Sequence, residues 1–244
     1  MSAQRARPPG GGVAPSESGR GVGTVRLSAV LFDLDGTLVD TVGTRILAWL
    51  QALQEYDLKP DRDQVASLIG SDGRWLARTV AKAAGKSLDE ATAEEIDQRS
   101  GAIYDRLNTD PQPLPGATSL IRWLERHELP WAIATSSRRE QVRQSLAALA
   151  LARPPRVIDG SQVKEAKPAP DLLLFAAKEL DLPPPTIWYV GDSEWDMRAA
   201  CAANMVAVGV ATGAATVETL RASGASLTVN NLGELPQIID ELPA

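Results

Sequence analysis

The stretch "AVLFDLDGTLVDT" (residues 29–41) joins four apolar residues to two aspartates that stand one residue apart. A short run that is apolar at every position is typical of a strand buried on both faces. Asp33 and Asp35 follow this run directly, although burying an unpaired carboxylate is costly. Gly36 then allows the chain to turn sharply. The stretch therefore predicts a buried strand that brings acidic groups to a place where their charge is compensated.

The composition of the 244 residues excludes several classes of protein. Hydrophobic residues make up 44% and charged residues 23%, which is close to the average of globular proteins, and the apolar runs are too short to span a membrane. A net charge of -6 disfavours a nucleic-acid or anionic-membrane partner. One cysteine and one histidine rule out an internal disulfide and disfavour a zinc cluster. We expect a cytoplasmic protein in which any metal is held by oxygen.

The first strand is one of six apolar runs that alternate with helical patterns. Strands apolar on both faces and separated by helices predict an α/β protein, in which a Rossmann-like parallel sheet is flanked by helices. The six predicted strands are residues 29–33, 131–135, 156–159, 187–192, 206–210 and 226–229.

The strands are absent from one long interval, residues 42–110. Three segments in it have the spacing of amphipathic helices, namely residues 45–56, 73–85 and 93–107. This interval predicts an all-helical cap domain, inserted into a catalytic core of residues 25–41 and 111–244. Residues 1–24 are rich in proline and glycine and contain little to bury, which predicts a disordered tail.

The acidic residues fall where such a sheet binds ligands. In an open parallel sheet, ligands bind beyond the carboxyl ends of the strands. Asp33, Thr135 and Asp192 stand at the ends of three predicted strands, so we expect them to meet in space. The pattern D-x-D-G-T by itself arises by chance on the order of once in a thousand chains of this length.

Four segments, in this order, resemble the motifs of the haloacid dehalogenase superfamily, in its phosphatase branch with a helical cap. They are "DLDGT" (33–37), Thr135 in "IATSS", Lys167 in "KPAPD" and "GDSEWD" (191–196). The resemblance covers essentially all of residues 28–240. It implies a phosphomonoester hydrolase of the phosphoglycolate phosphatase kind, acting on a small phosphorylated metabolite.

The resemblance also implies a role for each matching residue. Asp33 would be the nucleophile that forms an aspartyl-phosphate, which divides a barrier of more than about 20 kcal/mol into two steps. Asp35 would be the general acid and base. Lys167 would balance the charge of the nucleophile and the phosphate, and Thr135 would hold phosphate oxygens.

Weaker candidates complete the predicted substrate site. Gly36 turns the chain beside the phosphate, and Ser136 could donate to it or simply begin a helix. Arg74 lies in "LIGSDGRWL" (68–76), which resembles the loop that family members fold over the substrate. It is a candidate for binding a second anionic group, although surface arginines are common.

The acidic groups also predict a metal. Asp33, Asp35, Asp192 and Asp196 would repel a phosphate dianion, and one lysine cannot neutralise them. Because only oxygen ligands are available, we expect Mg²⁺, held by Asp33, the Asp35 carbonyl and Asp192, with Asp196 acting directly or through water. A calcium loop is disfavoured because its glycine stands at position six, whereas this one stands at position four.

Two other functions stay open at this point. A β-phosphoglucomutase-like phosphotransferase shares the nucleophile and differs mainly in its cap contacts. A non-catalytic binding protein on the same scaffold would be expected to have a broken motif, and none is broken. Dehalogenation is disfavoured because dehalogenases of this resemblance lack a counterpart of Asp35. The sequence predicts neither the substrate nor the oligomeric state.

Overall fold

The computed structural model describes residues 26–243, and the predicted tail of residues 1–24 lies outside them. The strands are β1 Ala29–Phe32, β2 Val39–Asp40, β3 Gln112–Pro113, β4 Trp131–Ala134, β5 Val157–Ile158, β6 Ile187–Gly191, β7 Val206–Val210 and β8 Leu227–Val229. Six of them form one parallel sheet in the order β5-β4-β1-β6-β7-β8. These are the six strands predicted from the sequence, so the predicted sheet is confirmed.

Helices cover both faces of this sheet. They are α1 Val42–Glu55, α2 Arg62–Ala66, α3 Gly73–Ala83, α4 Glu90–Leu107, α5 Ala117–Arg126, α6 Arg139–Ala148, α7 Asp171–Leu180, α8 Glu194–Ala202, α9 Val217–Ala222 and α10 Leu235–Asp240. Alternate residues of β1 point to opposite faces: Val30 and Phe32 pack with α5, α6 and α10, whereas Ala29 and Leu31 pack with α7, α8 and α9. This two-sided burial explains why β1 is apolar at every position. No helix within residues 26–243 has both the length and the apolar character needed to cross a bilayer.

Helices α1 to α4 form the insert between β2 and β3. They enclose a third apolar cluster, which Trp195 of α8 joins from the sheet side. Where the chain leaves and re-enters the core, β2 and β3 pair antiparallel, with Val39 opposite Pro113. The sequence did not predict this pair. The helices lie inside the predicted cap of residues 42–110, and its role as a separate domain stays a prediction.

Candidate active site

The ends of three neighbouring strands meet at one cavity. Phe32 of β1 is in register with Ile133 of β4 and Val190 of β6, so the residues just beyond these strands lie side by side. The cavity has a volume of about 540 Å³, within the range of small-molecule sites. It is lined by all the predicted site residues except Gly36: Asp33, Asp35, Arg74, Thr135, Ser136, Lys167, Asp192 and Asp196.

Gly36 lies behind this lining, against Asp192. Its φ of +84° is in the left-handed region, and a Cβ atom at this position would lie 2.5 Å from Asp192 Oδ2. The next residue, Thr37, donates its hydroxyl to Asp192 Oδ1 at 2.9 Å. The turn therefore needs glycine for close approach as well as for conformation. The turn packs against one side of the Asp192 carboxylate and thereby fixes its position. Direct contact between Gly36 and the substrate stays a prediction.

Lys167 is buried between two carboxylates, with its side chain only 1% exposed. Its Nζ lies 2.6 Å from Asp33 Oδ1 and 2.7 Å from Asp196 Oδ1. Burial alone would lower the pKa of Lys167, but the charges of Asp196 and Asp33 raise that pKa well above its usual value. The ammonium is therefore a fixed positive charge at Asp33. We call Asp33, Lys167, Asp192 and Asp196 the acidic cluster.

Asp196 has both carboxylate oxygens engaged by protein donors. Its Oδ2 accepts the Ser193 N–H at 3.0 Å and the Ser193 hydroxyl at 2.6 Å, which caps the start of α8. Its Oδ1 accepts from Lys167 and from the Tyr189 hydroxyl at 3.0 Å. The sequence did not single out Tyr189, since an aromatic residue within an apolar strand has the pattern of core. Asp196 is thus held in place by these donors and positions Lys167.

The acidic cluster carries more negative charge than its lysine neutralises. Burial raises the pKa of Asp33 to about 7 even though Lys167 opposes the shift. Burial, together with the charges of Asp196 and Asp33, raises the pKa of Asp192 well above its usual value. One ammonium faces three acidic groups, and the raised pKa values of Asp33 and Asp192 are the consequence of burial and of this deficit of positive charge.

The same residues fit an oxygen-bound metal ion. Ligand oxygens of Asp33, Asp192 and Asp196 lie within 4.8 Å of one another. Among residues 26–243, Asp33 Oδ2 and Asp192 Oδ2 accept no hydrogen bond, since the bonds to these two carboxylates go to their Oδ1 atoms. Two free carboxylate oxygens beside a charge deficit are a donor set suited to a hard divalent cation.

Asp35 has a different environment from Asp33. Arg45 and Ser137 donate to its Oδ2 at 2.8 and 2.6 Å, and Thr41 and Tyr104 donate to its Oδ1 at 2.7 and 3.1 Å. Burial would raise the pKa of Asp35, but the Arg45 charge and these hydrogen bonds lower it below its usual value. Asp35 is therefore held as a carboxylate, two residues from a carboxyl group whose pKa is raised.

Two hydroxyl groups after β4 face the cavity. Thr135 is buried, and its Oγ1 accepts the Ser137 N–H at 3.2 Å. Ser136 Oγ is also buried and has no hydrogen-bond partner among the described residues. A buried hydroxyl without a partner costs about 1–3 kcal/mol. Both hydroxyls suit an oxyanion that enters the cavity, and phosphate binding by these two residues stays a prediction.

Arg74 reaches the cavity from the insert, but it is not a free cation. Its guanidinium lies 3.2 Å from Asp72 and 3.4 Å from Glu90. Arg138, at the start of α6, contacts Glu94 and Asp97 of α4 in the same way, at 2.7 and 2.8 Å. The predicted capture of a second anion by Arg74 would require it to exchange these partners.

The sequence did not single out several charged or hydroxyl-bearing residues of the cavity, among them Arg45, Asp72, Glu94, Asp97, Ser137, Arg138 and Lys164. One signal was available for Arg45, because α1 begins directly after the D-x-D-G-T stretch and its first turn must lie near the strand ends. The acidic residues of α4 carry no such signal, since they stand on an amphipathic helix whose polar face usually meets solvent.

Comparison with known proteins agrees with this geometry. A family profile described as Haloacid dehalogenase-like hydrolase matches residues 30–210. A phosphoglycolate phosphatase of Pseudomonas aeruginosa is 29% identical over 87% of this chain and 79% of its own length. A fructose-1-phosphate phosphatase of Escherichia coli is 32% identical over 76% and 97%. A β-phosphoglucomutase of Bacillus subtilis is 30% identical over 86% and 92%.

Proposed function

Because the chain belongs to the haloacid dehalogenase-like hydrolase family, we propose that it is a Mg²⁺-dependent phosphatase that hydrolyses a small phosphorylated metabolite through an aspartyl-phosphate. The observation that carries this proposal is the position of Lys167. Its ammonium bridges Asp33 and Asp196 beside the unengaged oxygens of Asp33 and Asp192. A carboxylate so placed can attack phosphorus while a fixed positive charge limits repulsion between the two anions.

In the first step, Asp33 attacks the phosphorus atom and the alcohol leaves. Thr135 and Ser136 hold phosphate oxygens with their hydroxyls, and Lys167 balances the negative charges of Asp33 and the phosphoryl group as they approach each other. Asp35 donates a proton to the leaving alcohol, for which it has to be protonated and released from Arg45. In the second step, water attacks the aspartyl-phosphate. The carboxylate form of Asp35, which Arg45 favours, then accepts the proton of that water.

A divalent ion bound by Asp33, Asp192 and the Asp35 carbonyl would neutralise the acidic cluster and polarise the phosphoryl group. Asp196 would act on that ion directly or through water. Since both Asp196 oxygens are occupied by protein donors, the route through water has the stronger support.

The proposal also includes the kind of substrate, the cellular compartment and the order of the alternative functions. The acidic chain and the size of its cavity support an enzyme for small metabolites rather than for nucleic acid. The single cysteine fits a reducing, cytoplasmic setting. The β-phosphoglucomutase relative keeps phosphotransfer as the second candidate. A purely binding protein has little use for a buried group of three carboxylates around one lysine, because burying them is costly.

Phosphate release from a panel of phosphorylated metabolites tests the proposal. We expect Mg²⁺-dependent turnover that stops with a chelator and falls by at least about a thousandfold in Asp33→Asn. Turnover that survives either change would contradict the mechanism. Transfer of phosphate between two positions of a hexose, without release, would establish the mutase instead. Glu95→Gln, an exposed change on α4 outside the cavity, is the control.

A further inference from the structure

The cavity has a second side that takes no part in the proposed phosphoryl transfer. The acidic cluster and the residues after β4 occupy one side, where the phosphoryl group is held. The leaving group has to extend away from Asp33 into the rest of the cavity. Three acidic residues of the insert line that part: Asp72, Glu94 and Asp97. We call these three residues the carboxylate wall.

The arginines near the carboxylate wall are already paired with it. Arg138 contacts Glu94 and Asp97, and Arg74 contacts Asp72. Three carboxylates thus face two guanidinium groups, which leaves the wall with a net charge of about -1. A second anion on the substrate would have to displace these pairs and would meet the excess negative charge.

The wall nevertheless offers hydrogen-bond acceptors. Glu94 accepts through Oε1 and Asp97 through Oδ2. Among the described residues, Glu94 Oε2 and Asp97 Oδ1 accept no hydrogen bond. An ionised carboxylate can accept from a hydroxyl and cannot donate to another carboxylate.

The position of Asp97 is built into the packing of two helices. A Cβ atom on Gly73, the first residue of α3, would lie 2.0 Å from Asp97 Oδ1. Only glycine allows this carboxylate to lie so close to the α3 backbone, and Gly73 itself lines the cavity. The acceptor is thus part of a formed site rather than a mobile surface group.

We propose that Glu94 and Asp97 select substrates whose leaving group carries hydroxyls and no carboxylate, that is, sugar or polyol monophosphates rather than phosphorylated acids. The proposal rests on the phosphatase function above and concerns the same cavity. Sites built to bind a hydroxyl reject analogues that cannot supply it, because their buried polar groups are left unpaired. A carboxylate in place of the hydroxyl adds repulsion to that loss.

One cavity residue argues for the opposite specificity. Lys164, in the loop before α7, lines the cavity, is exposed, and makes no ion pair among the described residues. If Lys164 captured a substrate carboxylate, the enzyme would favour phosphorylated acids. The turnover of both substrates is therefore also measured in Lys164→Ala.

The decisive comparison uses two substrates that differ in one group. Glucitol 6-phosphate, the hexitol ester in this comparison, and 6-phosphogluconate differ only in one terminal group, which is hydroxymethyl in the first and carboxylate in the second. We expect kcat/KM to be at least about tenfold higher for the hexitol ester. In the double variant Glu94→Gln/Asp97→Asn this ratio should fall by about tenfold, whereas exposed Glu95→Gln should keep it. Thermal melting checks that the variants fold, and Glu94→Gln alone is the fallback.

Each other outcome has a definite meaning. An equal or reversed preference in the wild-type protein, or a ratio unchanged in the double variant, would overturn the proposal. Turnover of 6-phosphogluconate that depends on Lys164 would overturn it as well. If neither of the two esters nor the general substrate p-nitrophenyl phosphate is hydrolysed, the proposed phosphatase function itself is wrong. Thermal shifts of Asp33→Asn with the two esters then still show whether the wall prefers the hydroxyl.

Discussion

The acidic cluster and the carboxylate wall line the same cavity, yet they differ in how firmly their charges are held. The members of the cluster are buried, with at most 6% of each residue exposed. In the wall, the side chains of Glu94 and Asp97 are 31% and 22% exposed, and their partner Arg138 is 40% exposed. Breaking one ion pair in the buried cluster costs about 3–5 kcal/mol, whereas a solvated pair contributes about 1 kcal/mol or less.

This difference assigns separate tasks to the two regions. Charges that cannot reach water have to be compensated by fixed partners, so a substitution that removes one charge of the cluster leaves its buried partners uncompensated. Charges that are partly solvated can be exchanged at small cost. In the proposed phosphatase, the cluster would carry the chemistry common to many phosphate esters, and the wall would select one leaving group.

The largest effect is expected from Lys167→Met, which leaves three buried carboxylates without their cation. Phosphatase activity should fall by at least about a thousandfold. In the presence of a chelator, the free energy of unfolding should fall by about 3–5 kcal/mol. Since an added dication restores positive charge, Mg²⁺ should raise the melting temperature of the variant more than that of the wild type. Activity assays and thermal melts with and without Mg²⁺ measure all three.

The control for this change is Lys178→Met, on the exposed side of α7. It removes a lysine of the same size from a solvated position and should alter stability by less than about 0.5 kcal/mol. Equal melting temperatures of the two variants in chelator would show that Lys167 does not compensate the cluster, and the distinction between the two regions would be lost.

The acidic cluster could be predicted from the sequence much better than the carboxylate wall, and the reason is physical. Asp33 and Asp192 end strands whose apolar pattern is local, and the rule for parallel sheets then brings them together. Arg45 depends on contacts with Ser137 and Gln141, 92 and 96 residues away, and no local pattern encodes them. Glu94 shows in the sequence only as part of a polar helix face. The β2–β3 pair escaped detection because each strand has only two residues.

A smaller loss of stability is expected from Arg45→Met. Arg45 lies between the acidic cluster and the carboxylate wall, so this variant tests whether burial determines how much a charge pair contributes to stability. Arg45 and Asp35 are 12% and 10% exposed, and the variant leaves Asp35 buried with neutral donors only. At pH 7 the protein should lose about 3 kcal/mol of unfolding free energy. In an Asp35→Asn background the same change should cost at least about 1 kcal/mol less. Urea unfolding of the four proteins of this cycle measures the coupling.

The pH dependence of this loss follows from the lowered pKa of Asp35. A carboxyl group with a lowered folded-state pKa stabilises the protein above its unfolded pKa, near 3.8, and this contribution is lost as the pH falls through the folded value. In Arg45→Met, burial without the guanidinium raises that pKa, so the folded variant takes up a proton earlier on acidification. The difference in unfolding free energy between the wild type and Arg45→Met should therefore be largest near pH 7 and shrink towards pH 4. A difference independent of pH would assign the loss to packing.

The smallest effect is expected in the wall, where Asp97→Asn should raise stability slightly. Burial raises the pKa of Asp97 even though the Arg138 charge opposes it. A carboxyl group with a raised folded-state pKa stabilises the folded state only when protonated, so ionised Asp97 lowers stability at neutral pH. The variant should melt about 2 °C higher at pH 8, and this gain should shrink as the pH falls towards 4. Exposed Asp110→Asn is the control and should melt like the wild type. A lower melting temperature for Asp97→Asn would mean that the Asp97 carboxylate stabilises the packing of α3 against α4. Its presence in the cavity would then have a structural explanation, and it would not support the binding of a substrate hydroxyl.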